Sequence, residues 1–93
     1  DAFSIVDAVT TLGGIELDTD NWKADVVYSG SQKCLSCVPG LSPITFSKRA
    51  AERINNRTSK SHSWFLDMQL IMSYWGEGKK RAYHHTAPVN ALY

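Results

Sequence analysis

Asp25-Val26-Val27-Tyr28-Ser29-Gly30-Ser31-Gln32-Lys33 is the stretch on which the fold turns. A short apolar, β-branched run halted by Ser-Gly-Ser predicts a brief buried strand over 25–28 and a turn beyond it. The strand delivers Lys33 just past its carboxyl end. Upstream, Phe3-Ser4-Ile5-Val6 reads the same way and ends at Asp7. Roughly 20 residues separate the two, a length that suits a crossover between parallel strands better than a tight hairpin. Gly13-Gly14 and the Asp/Asn-rich stretch Asp18 to Trp22 interrupt that connection with turns. Ligands of such sheets bind outside the carboxyl ends of the strands, so Asp7 and Lys33 are expected on one rim.

Downstream, Pro39-Gly40 marks a turn and Ile44-Thr45-Phe46 a third strand, close enough in sequence to return antiparallel beside the second. Ser47 is placed to cap a basic amphipathic helix over Lys48 to Asn55, with Ala51 and Ile54 on its inner side. A second helix is expected between Ser63 and Trp75, where Leu66, Leu70, Ile71 and Tyr74 recur at helical spacing and Gly76 supplies the stop. Trp64, Met68, Met72 and Trp75 read as packing residues rather than a cofactor box. Ala82-Tyr83-His84-His85-Thr86-Ala87-Pro88 is too polar for a core strand and reads as a loop dense in hydrogen-bonding groups. His84 and His85 fit loop ordering better than catalysis. The expected class is α/β: a mostly parallel sheet with one antiparallel strand and flanking helices.

The composition, 43% hydrophobic and 20% charged over 93 residues with a formal net charge of +1, is that of an ordinary globular chain. No run of 18 or more apolar residues argues for a membrane helix. The basic residues are scattered except for Lys79-Lys80-Arg81, too short to define a nucleic-acid surface. Both ends run directly into apolar sequence, so residues 1–93 are expected to be an internal segment of a larger domain, with no complete domain boundary inside. Cys34 and Cys37 form a C-x-x-C spacing, which opens a non-enzymatic reading as a small metal or redox module. The remaining candidate ligands, His62 and the adjacent pair His84-His85, lack the spacing of a zinc site.

Taken alone, Lys33 reads as a surface lysine and Asp7 as a helix cap or turn former. Together they meet two needs of pyridoxal phosphate: an amine for its aldehyde and an anion for its pyridinium nitrogen. Partial desolvation past a buried strand would free the lysine amine.

The runs Val6-Asp7-Ala8-Val9-Thr10-Thr11-Leu12-Gly13-Gly14, Tyr28-Ser29-Gly30-Ser31-Gln32-Lys33, Pro39-Gly40 and Tyr83-His84-His85-Thr86 resemble, in order and spacing, the class V pyridoxal-phosphate aminotransferases. The likeness is strongest to the alanine–glyoxylate (serine–pyruvate) aminotransferase group and covers nearly the whole chain. It implies the central piece of the large cofactor-binding domain of a fold-type I enzyme. Lys33 would hold pyridoxal 5'-phosphate as a Schiff base, Asp7 would pair with its ring nitrogen, and Gln32 would help hold its phosphate. Tyr83 and Thr86 would reach the phosphate of the neighbouring subunit's cofactor, which implies a homodimer. The implied reaction moves an amino group from alanine or serine to glyoxylate or pyruvate. Transaminases of 3-hydroxykynurenine and the serine–glyoxylate enzymes share these motifs and remain alternatives. Cysteine desulfurases carry histidine where Gln32 stands. The chain departs from the pattern at Val38, where a second proline is common, and in its C-x-x-C, where other small residues are usual. The segment alone is expected to be inactive, and peroxisomal or mitochondrial placement follows from family analogy only.

Overall fold

The computed structural model describes residues 2–75 and 82–93. Among the described residues there are three strands, β1 (Ile5–Asp7), β2 (Val26–Tyr28) and β3 (Ile44–Phe46), and three helices, α1 (Lys48–Asn55), α2 (Met68–Trp75) and α3 (Val89–Leu92). The chain divides into two compact units, Asp1–Ala51 with Pro88–Tyr93, and Glu52–Ala87. The Gly76 helix stop and the Lys79-Lys80-Arg81 cluster lie outside the described residues.

The fold is mixed α/β, and its sheet has the expected topology. β2 is central, with β1 parallel on one side and β3 antiparallel on the other. Ile5, Val6 and Asp7 face Val26, Val27 and Tyr28 in register, and Tyr28 also faces Ile44. Val27 is buried, as the middle residue of the middle strand should be. Side chains alternate along a strand, so Asp7 and Tyr28 rise from the opposite face to Val27.

The first strand begins and ends later than the expected 3–6, and the second begins at Val26 rather than Asp25. At the amino ends of both strands Ser4 and Asp25 also bond through their side chains: the Asp25 amide donates to Ser4 Oγ at 3.0 Å and the Ser4 amide to Asp25 Oδ2 at 2.9 Å, beside the backbone bond from the Val26 amide to the Ser4 carbonyl at 3.0 Å. Asp25 is buried and also receives the Arg49 guanidinium, Nε to Oδ1 at 2.8 Å, and the Ser47 hydroxyl at 3.0 Å. Arg49, then the Ser4 amide, outweigh the desolvation of this carboxyl and hold it far below the usual carboxylate range. Arg49 further donates to the Ala2 carbonyl and lies 4.5 Å over the Phe3 ring. The amino ends of β1 and β2 and the carboxyl end of β3 are thereby gathered on one charged pair.

Helix α1 has the expected bounds. Ser47 caps it, its Oγ accepting the Ala50 amide at 3.1 Å. The buried residue is Ala50, while Ala51 and Ile54 are only half-buried. Helix α2 is shorter than the expected 63–75. Ser63 Oγ takes the Leu66 amide in a local turn, and Asp67 caps the helix instead, accepting the Gln69 amide at 3.0 Å. Leu66 thus falls outside the helix and is exposed, while Tyr74 is the buried residue of α2. Trp64 and Trp75 are largely exposed, against the packing role expected for them. The single turn α3 follows Pro88; four residues are too few to show a period in sequence.

Candidate functional site

The carboxyl ends of β1 and β2 are sewn together by the residues that follow them. The Ala8 amide donates to the Tyr28 carbonyl at 2.8 Å, extending the ladder, and the buried Ser29 hydroxyl donates to the Ala8 carbonyl at 2.9 Å. Two residues on, Ser31 is buried as well. Its amide donates to the Leu41 carbonyl at 3.1 Å, its hydroxyl to Val38, and its carbonyl accepts the Cys37 amide at 2.9 Å. The serines of Ser29-Gly30-Ser31 are therefore internal fasteners. They fix the backbone that enters Gln32 and Lys33, both of which are exposed.

Lys33 opens a tight turn in which the Ser36 amide donates back to the Lys33 carbonyl at 2.9 Å. That turn packs on the loop following Asp7. Cys34 Sγ donates to the Thr10 carbonyl at 3.2 Å. A Cβ built on Gly14 would lie 2.9 Å from Cys34 Sγ, and one on Gly13 would lie 3.1 Å from Leu35 Cδ2. Gly13 also has φ +87°, a conformation that favours glycine, so the double glycine answers both to backbone shape and to this close approach. Asp7 and Lys33 thus lie on adjoining segments at one end of the sheet.

Asp7 is held by two donors, one on each oxygen. The Val9 amide donates to Oδ1 at 2.9 Å and the Tyr28 hydroxyl to Oδ2 at 2.8 Å. These bonds, the Val9 amide first, lower the Asp7 pKa, because donors favour the charged carboxylate. Asp7 is therefore a fixed anion at neutral pH. Among the described residues the Lys33 amine joins no ion pair.

Beside them lies a concave pocket of about 320 Å³, walled in part by Val9, Tyr28, Gly30, Gln32, Gly40 and Ser42. Asp7 and Lys33 are not in its wall. A Cβ on Gly30 would sit 2.7 Å from Gln32 Oε1, so the Gln32 amide folds back over Gly30 at the pocket edge. An ionised carboxylate, an amine without a carboxylate partner and a side-chain amide over a bare glycine are suitable for a cationic ring nitrogen, an aldehyde and a phosphate oxygen. The donor set fits pyridoxal phosphate.

Tyr83 and Thr86 belong to the second unit, and there the structure joins them, their hydroxyls 2.7 Å apart. Between them His84 is buried, Nε2 at 2.9 Å from the Trp64 carbonyl and Nδ1 at 2.9 Å from His85 Nδ1. A carbonyl only accepts, so Nε2 carries the proton. In neutral His84, Nδ1 then accepts from His85. The Trp64 ring, 4.2 Å from that of His84, completes the support of this loop.

Cys34 and Cys37 are free thiols, each donating to a backbone carbonyl, Cys34 to Thr10 and Cys37 to Leu35. Among the described residues no three His, Cys, Asp or Glu side chains gather as a metal site. The module reading is not favoured. Sequence reasoning gave no role to Tyr28 or to the Asp25–Arg49 pair. Aligning Val6-Asp7 with Val27-Tyr28 in parallel register would have paired Asp7 with Tyr28, but nothing local points from Asp25 to Arg49.

No family profile matches the chain. It is similar to the alanine–glyoxylate aminotransferase of Drosophila melanogaster, 51% identical over 94 residues, covering 100% of this chain and 24% of that protein. It is similar also to the (S)-ureidoglycine–glyoxylate transaminase of Bacillus subtilis, 36% identical over 111 residues, covering 100% of this chain and 26% of that one. The crystal structure of an alanine–glyoxylate aminotransferase from Nostoc sp. superposes with a TM-score of 0.88 at 49% identity, over 97% of this chain and 23% of that one. The chain spans about a quarter of the length of the curated relatives it matches.

Proposed function

We propose, since this chain belongs to the class V aminotransferase family, that it carries the lysine, the ring-nitrogen carboxylate and part of the phosphate cradle of a pyridoxal-phosphate aminotransferase. Residues 1–93 are then an internal segment of its large cofactor-binding domain. The reaction moves an amino group from alanine or serine to glyoxylate or pyruvate, a reading supported by the 51% identity to a protein named for alanine and glyoxylate.

The observation that carries the proposal is the seating of the Lys33–Ser36 turn on the loop after Asp7, fixed by the Cys34 bond to Thr10. It puts an amine and a fixed anion on one rim. When bound, pyridoxal phosphate supplies an aldehyde for an amine and a ring that accepts electrons freed at the substrate Cα. Lys33 Nζ would hold the cofactor at that aldehyde. As a free amine it would take the proton from the substrate Cα and pass it on, acting as general base and then general acid. Asp7 keeps a negative charge against the ring nitrogen and so holds the proton there. Gln32 binds the phosphate through its side-chain amide. Tyr83 and Thr86, exposed and bonded to each other, supply hydroxyls to the phosphate in the neighbouring subunit of a homodimer.

Borohydride reduction of the loaded full-length protein, followed by peptide mapping, is expected to leave the cofactor attached at Lys33. Attachment at any other lysine would end the proposal. Alanine and serine are expected to outperform 3-hydroxykynurenine as donors with glyoxylate as acceptor, and the reverse order would move the chain to a sibling activity.

A further inference from the structure

We infer that Tyr28 is a positioning residue for Asp7: its phenolic hydroxyl, donated to Asp7 Oδ2, holds the carboxylate fixed as the anion presented to the cofactor's ring nitrogen. This rests on the aminotransferase reading and adds to it a residue that acts through Asp7.

The geometry is specific. Asp7 and Tyr28 are register partners on neighbouring parallel strands, so their side chains rise from the same face of the sheet although 21 residues apart in sequence. With the Val9 amide on Oδ1 and the Tyr28 hydroxyl on Oδ2, rotation of the carboxylate would break one bond or the other. Each oxygen still keeps a lone pair for a further donor. The phenol is itself well anchored. Tyr28 ends the central strand, paired to Asp7 on one side and Ile44 on the other. Its carbonyl accepts the Ala8 amide. A carboxylate held this way needs little reorganisation when the cation arrives, which is how a supporting side chain contributes to binding. The proton stays on Tyr28, because the neighbouring Asp7 carboxylate raises the phenol pKa, its hydrogen bond being the largest cause.

The test uses the full-length apoprotein and two ligands: pyridoxal phosphate, and an analogue in which CH replaces the ring nitrogen. Apparent dissociation constants are read from tryptophan fluorescence for wild type and Tyr28→Phe, which removes only the hydroxyl. Wild type is expected to prefer pyridoxal phosphate, and Tyr28→Phe to narrow that preference about tenfold while binding the analogue as before. An unchanged preference, or equal loss for both ligands as a merely structural role would give, overturns the inference. Should Tyr28→Phe not fold, 3-fluorotyrosine at position 28 keeps the shape and strengthens the donor. It is expected to widen the preference, and a preference unchanged or narrowed overturns the inference. Failure of wild type to bind pyridoxal phosphate at all would instead sink the aminotransferase reading, a separate outcome.

Discussion

Arg49 grips Asp25 with both sides of its guanidinium fork, Nε to Oδ1 at 2.8 Å and Nη2 to Oδ2 at 2.6 Å. The pair joins the start of helix α1 to the amino end of the central strand, at the end of the sheet opposite Asp7 and Tyr28. It explains how such short strands keep their register: the rim that carries the candidate site is braced from behind.

Asp25→Asn should therefore lower the melting temperature of the full-length protein at pH 7 more than Glu16→Gln, a change at an exposed site. The pH dependence has a definite sign. A carboxylate whose folded pKa is depressed contributes stability above its unfolded value, and that contribution is lost as pH falls through the folded value. Wild-type stability should thus begin to fall below about pH 4, the ordinary carboxylate value, and its margin over Asp25→Asn should narrow as the pH drops further. Thermal unfolding across pH 7 to 3 checks this. Parallel curves would contradict it.

Ser47 serves two partners, accepting the Ala50 amide and donating to Asp25 Oδ1. Loss of a cap costs about 1 kcal/mol, and here the bond to Asp25 goes with it. Ser47→Ala should cost about 1–2 kcal/mol in urea unfolding. Ser47→Asp, normally an acceptable cap, should be worse than Ser47→Ala, because it sets a second carboxylate against Asp25.

Gly30→Ala places a methyl group where Gln32 Oε1 now lies, 2.7 Å away. The end of a flexible side chain can move, so the fold should persist with little change in melting temperature. The displaced Gln32 should cost about ten- to hundredfold in affinity for pyridoxal phosphate, the worth of one hydrogen bond to a charged group. Gln32→Ala should cost the same, and the double variant little more, because both changes remove one contact.

If Tyr83 and Thr86 serve the neighbouring subunit, the double variant Tyr83→Phe/Thr86→Ala and Lys33→Ala impair different halves of one composite site. Each homodimer should then be nearly inactive, and mixed dimers should regain activity through the one site that draws every part from an unmutated source. Mixing after dissociation and reassociation tests it. No recovery in mixed dimers would place the two hydroxyls in their own subunit's site.

The elements were legible where local chemistry decides them. Val26-Val27-Tyr28 is β-branched and aromatic and is followed by Ser29-Gly30-Ser31, so a strand and its end are written in the sequence. Ser47 marked the start of α1 because capping requires only a hydroxyl three residues ahead of an orphan amide. The start of α2 was misread for a related reason. Two cap formers, Ser63 and Asp67, stand four positions apart, and which of them opens the helix depends on the turn at Leu66.

The order of the motif blocks was sufficient by itself to suggest the family, and the pattern of short strands to put Asp7 and Lys33 on one rim. Only the tertiary structure set Tyr28 on Asp7, Arg49 on Asp25 and the Cys34 thiol on Thr10. These contacts join residues 21 to 24 positions apart, and their partners are fixed by strand register and by where a turn closes. Such bonds reward the chain only after the intervening loop has paid its closure entropy, so no local pattern announces them. The sequence names the groups that could do the chemistry, and the register of three short strands decides which groups hold them still.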